Sequence, residues 1–217
     1  MPASPPSAAV VDLLGALAYG ELSAFDHLAD DAGLAPTLTA RARMSEMAAV
    51  EFGHYQRLAE RLIAIGADPE AAMAPFVAAL ETYHSLTKPS TWPESVVKAY
   101  VGDGLAADFY REVAEFADDA TGELIREVLT DAGRAEFAVH EVAAAAADQP
   151  AMVGRLALWG RRLVGEAISQ TQHVLADRDS LMRLLIEGTG DLSGVTGLIG
   201  RITDRHEERM RELGLAS

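Results

Sequence analysis

Acidic residues interrupt four apolar helical stripes in this sequence, and that feature constrains its fold more than any other. Glu21 lies in line with Leu14, Leu17 and Leu28, while Glu51, with His54 three residues on, falls among Met44, Met47, Leu58, Leu62 and Ile65. Asp103 shares a stripe with Val96, Tyr100, Ala107 and Tyr110, and Asp131 with Leu124, Val128, Ala135 and Val142. Residues three and four apart meet on one helix face, so each acid points toward the core. Isolated buried carboxylates are prohibitively costly as ions; these four must be protonated, paired with cations or bound to metal.

The surrounding pattern is helical almost throughout, and strict alternation of β-branched residues nowhere persists long enough for a strand, so the chain is expected to be all-α. Helices are expected at about 8–29, 36–66, 93–117, 121–147 and 150–178. A crossover with its own helix spans 69–90, a short helical piece covers 180–186, and a last amphipathic helix carries Val195, Ile199, Ile202, His206 and Leu213. No linker is long enough to separate domains. The expectation is one domain over residues 1–217: a four-helix bundle core at about 8–147, a long crossover, and additional C-terminal helices at about 150–213.

The first two helices and the next two read as copies of one hairpin. Glu21 and Glu51 are 30 residues apart, Asp103 and Asp131 are 28. Gly20 and Gly102 immediately precede an acid, while Gly53 and Gly133 follow one by two positions. Each glycine costs a helix interior roughly 1 kcal/mol relative to alanine. Close helix approach, or room for a small molecule beside the acids, would account for them; chance is the bland alternative.

Composition narrows the chemistry. The chain has no cysteine, so disulfides, thiolate nucleophiles and zinc–thiolate sites are excluded. Any metal must be held by carboxylates and imidazoles, a donor set suited to iron or manganese. A formal net charge of −15 opposes attachment to phosphate backbones and anionic lipids, so nucleic acid is not an expected partner. The first basic residue is Arg41 and no uncharged apolar run of about 18 residues occurs, which leads to the expectation of a cytoplasmic protein without a membrane partner.

One Glu from each of two helices, with an acid-x-x-His pair from each of the other two, is the ligand pattern of carboxylate-bridged diiron bundles. The stretches "AYGELSAF", "VEFGHYQRL" and "AYVGDGLAADFYREV" resemble the ferritin-like superfamily. Within it they are similar to the branch holding the diiron hydroxylase of methylthio-isopentenyl-adenosine in tRNA, with its hydroxylase-like relatives in high-GC bacteria. The resemblance implies Glu21 as a terminal ligand, Glu51 as a bridging carboxylate and His54 as the nitrogen ligand of one iron, with Asp103 in the place of the other lone Glu. "DAGR" occupies the second acid-x-x-His, with Asp131 as the acid and Arg134 where the pattern has histidine. Arginine has no lone pair to donate and carries a fixed positive charge. Two divalent ions would balance the four carboxylates without Arg134; one ion plus the guanidinium fits a single-metal or empty site. Glu136 and His140, four apart on the same helix, are a candidate rescue of coordination, with His140 about one residue out of phase with the inward stripe.

Other polar groups have plainer readings. Glu166, Gln170 and His173 line up with Leu156, Trp159 and Leu163 and are expected to pair with a neighbouring helix. His206 reads as a packed histidine, His27 and His84 as solvated groups near helix ends, and "RHEER" and "RMRE" as exposed charge pairs. Two functions survive. One is an iron-dependent oxygenase or hydroxylase holding one or two ions and acting on a small hydrophobic or alkyl-bearing substrate. The other is a metal-free binding or structural module, with oligomerisation expected, in which Arg134 replaces the metal charge. Iron storage is a weaker third option.

Overall fold

The computed structural model describes residues 7–128 and 134–215, all-α with no strand among them. The helices are α1 (Ala8–Asp31), α2 (Leu38–Ala64), α3 (Pro69–Met73), α4 (Val77–Leu86), α5 (Trp92–Ala114), α6 (Asp119–Val128), α7 (Arg134–Asp148), α8 (Met152–Asp177), α9 (Asp179–Thr189) and α10 (Leu192–Glu212). Local chemistry explains the boundaries. The Thr37 hydroxyl accepts the Ala40 amide at 3.1 Å and Thr91 caps α5 ahead of Pro93, so both helices begin where a side-chain oxygen can satisfy an orphan N–H. Gly66 ends the second helix region at φ +83°, a conformation that favours glycine.

The hairpin of α1 and α2 packs with α5, α6 and α7 to form the bundle, and α3 and α4 form the crossover between the two halves. The expected fourth helix is described as α6 and α7 on either side of residues 129–133. Additional layers cover α5. Trp159 on α8 donates its indole N–H to the Glu94 carbonyl at 2.9 Å, while α10 lies against α5, α8 and α9. One continuous apolar cluster runs from Leu13, Leu14 and Leu17 through Met44, Leu58 and Val97 to Leu163, Leu185 and Leu198. By length and hydropathy, Ala8–Leu34 is the only single helical segment among the described residues long and apolar enough to cross a membrane. It also carries Asp12, Glu21 and Asp26, and its Leu13, Leu14, Leu17 and Leu28 line the core.

The C-terminal charges correct the sequence reading. Arg201 and Arg205 pair with Glu112 at 2.6 and 2.8 Å, and Arg205 and Arg209 reach Asp108 at 3.0 and 2.7 Å. Asp108 is only 2 % exposed, so these arginines anchor α10 to α5. His206 is packed as expected, and burial pushes its pKa down to about 4.

Candidate metal centre

Three of the sequence-predicted ligands meet between α1 and α2. One ligand atom each from Glu21, Glu51 and His54 lies within 4.8 Å of the others. His54 Nδ1 is 3.3 Å from Glu21 Oε2 and 3.4 Å from Glu51 Oε2. The i, i+3 spacing on α2 puts Glu51 and His54 side by side, and the α1–α2 hairpin brings Glu21 opposite them. Glu51 is 2 % exposed.

Arg134 completes the cluster from α7. Its Nη2 lies 2.6 Å from Glu51 Oε1 and its Nη1 pairs with Asp103 on α5. The buried stripe of α7 is Arg134, Ala138 and Val142, so Glu136 and His140 fall on the exposed face, away from the cluster. That removes the geometric basis for a rescue by those two residues. The Asp103 side chain is 38 % exposed and joins the group through the guanidinium. Asp131 lies outside the described residues.

Electrostatics separate the two buried glutamates. Burial, then a shared hydrogen bond with Glu51, push the Glu21 pKa well above the usual carboxylate range. For Glu51 burial acts the same way, but hydrogen bonds from Glu21 and His54 and the Arg134 charge outweigh it and hold the group down at about 2. Burial opposes a charged His54, yet its bonds to Glu21 and Glu51 win and raise it to about 9. Arg134, also opposed by burial, is held charged above its ordinary range by Asp103 and Glu51. Two carboxylates and an imidazole so close together suit one divalent first-row ion. A second ion does not fit the residues present, because the guanidinium occupies the acid-x-x-His position from which its nitrogen ligand would come.

One cavity adjoins the cluster and a second adjoins the first. A slot of about 130 Å³ is lined by Glu21, Glu51, Asp103 and Arg134, and also by Tyr83, His84 and Lys98. A larger chamber of about 200 Å³ is almost wholly apolar, lined by residues such as Leu13, Phe76, Phe109, Leu185 and Ile202. Leu80, Tyr83, Gly102, Ala106 and Tyr110 line both. Of the repeated glycines, Gly20 sits in a tight place, where a Cβ would stand 3.3 Å from the Tyr110 hydroxyl, whereas a Cβ at Gly102 would make an ordinary contact 3.4 Å from that of Tyr83. Gly53 faces open space, so nothing around it requires glycine.

Sequence reasoning missed Lys98, Tyr83 and His84. The imidazoles of His27 and His84, expected to be solvated, stack with ring centroids 3.8 Å apart, and both side chains are partly buried. The available signal was the lone lysine in "SVVKAYV", an apolar run on α5. Gln170 lines the apolar chamber, whereas His173 is exposed.

Residues 6–188 match the family described as ferritin-like domain, actinomycetes. No curated protein matches the chain.

Proposed function

The chain belongs to the actinomycete ferritin-like domain family, and from that premise we propose that it is a single-iron oxygenase-like enzyme acting on an alkyl-bearing substrate. The observation that carries this reading is the Glu21–Glu51–His54 group, whose ligand atoms lie within 4.8 Å of one another while Arg134 clamps Glu51 and Asp103. Glu21, Glu51 and His54 would hold the ion, which would supply redox and dioxygen chemistry. The chain's own groups do the rest. Arg134 keeps Glu51 ionised and fixes its orientation, as an outer partner does for a ligating carboxylate. Glu21 and His54 hold protons that they release when they become ligands. The apolar chamber accepts hydrocarbon and excludes water. A charge of −15 favours a small substrate over tRNA, so the substrate of the hydroxylase branch is not carried over.

One observation favours a metal-free reading. With protons on Glu21 and His54, the charges of Arg134 and His54 balance those of Glu51 and Asp103 without any ion. Elemental analysis of protein from iron-supplemented cells separates the two. The enzyme reading expects close to one iron per chain, lost in Glu51→Ala; folded wild-type protein that takes up no iron assigns the cluster to a structural ionic network.

A further inference from the structure

Lys98 is a buried cation for which the fold supplies no counter-ion in contact. Its residue is 6 % exposed, it forms no ion pair among the described residues, and its Nζ lies 5.7 Å from the Tyr83 ring centroid. Asp31, which lines the same slot, acts on it only from a distance. Beside it, the Tyr83 hydroxyl and His84 Nδ1 are buried and without a hydrogen-bond partner among the described residues. The neighbouring Thr87 donates its hydroxyl to the Tyr83 carbonyl at 2.6 Å, and its oxygen is the protein acceptor that a ligand at the Tyr83 hydroxyl would compete with. The Tyr83 and His84 rings are 5.2 Å apart, so an ammonium, a hydroxyl and an imidazole converge on one end of the slot. Buried polar groups left unpaired are costly, and a set of unpaired donors around one cavity calls for an acceptor.

We infer that this end of the slot is a receptor for the carboxylate head of a medium-chain organic acid whose hydrocarbon tail lies in the apolar chamber. One cation with two neutral donors matches a single negative charge: Lys98 pairs with the carboxylate, Tyr83 donates its O–H, and His84 donates from Nδ1 in the tautomer that carries the proton there. Burial with the charges of Lys98 and His27 keeps His84 neutral, its pKa pushed down to about 2, so it serves as a hydrogen-bond donor rather than a second cation. Leu80, Tyr83, Gly102 and Ala106 border both cavities, and Gly102 presents no side chain there, so the tail passes from slot to chamber along this wall. Since a cavity of about 150 Å³ takes benzene, the chamber accommodates roughly eight carbons.

This inference names the substrate class of the proposed enzyme, but the binding itself requires no metal, so it is tested on the metal-free full chain and stands or falls apart from iron content. Calorimetric titrations with octanoate and with its neutral isostere octanamide are compared. Octanoate should bind at least tenfold more tightly, with affinity rising about fourfold per methylene from butanoate upward. Lys98→Met should bring octanoate down to the octanamide level, and Tyr83→Phe, which preserves the ring, should weaken octanoate about fivefold to tenfold. Equal affinity for acid and amide, octanoate binding that survives both substitutions, or no binding of either ligand would each overturn the receptor.

Discussion

At Arg134, a single side chain sets both the charge and the ligand count of the cluster. Its guanidinium pairs with Glu51 and Asp103, so Arg134→Ala leaves Glu51 buried without its cation and should destabilise the protein by about 3–5 kcal/mol, read by denaturant unfolding. Arg134→His puts a lone pair in the same place, and ferrous binding should rise from one ion per chain toward two; unchanged stoichiometry would argue against a displaced second site. His84 gives a pH signature. It stays neutral in the folded chain down to about 2 but protonates near 6.5 when unfolded, so the unfolded state binds more protons between those values and stability falls as pH drops through that window. His84→Gln should flatten the acid limb by no more than about 1.4 kcal/mol per pH unit. That Glu51 and His54 lie together inside the bundle was legible because an acid-x-x-His pair breaks an apolar stripe. Lys98 was not, because a lysine on an apolar face ordinarily snorkels to water, and only packing by neighbouring helices reveals that this one stays buried.

Helix positions followed from periodicity to within a few residues, since that signal is local; the second helix, expected from about residue 36, starts at Leu38 behind its Thr37 cap, and Gly66 lies at its expected stop. Which charged faces meet is a tertiary matter, and there the sequence misled. The arginines of α10 look like a solvated face, yet Asp108 and Glu112 on α5 receive them. Asp108→Ala should cost about 3 kcal/mol at most, because its arginine partners retain some access to water, and hydrogen exchange should show α10 opening before the bundle. Hydrogen bonds from Arg201 above all, then from Arg205, hold Glu112 down at about 2. Its contribution is therefore complete above an unfolded value near 4.5 and lost as pH falls toward 2, so Glu112→Gln should remove that part of the acid dependence.

For the molecule as a whole, an all-α bundle of the ferritin-like family places a Glu–Glu–His group between α1 and α2, with a slot beside it and an apolar chamber beyond the slot. A ligand that binds only the folded state stabilises it by mass action, about 2.7 kcal/mol at a hundredfold excess over Kd. For a chain of this size that corresponds to roughly 5–10 °C in Tm, so ferrous ion should raise the Tm of the wild type and leave Glu51→Ala unmoved. The most direct test is anomalous diffraction from crystals soaked anaerobically with ferrous ion. The account predicts one peak, among Glu21, Glu51 and His54, with Arg134 still joined to Glu51 and Asp103. Two peaks with the guanidinium displaced, or no peak at saturating iron, would contradict it.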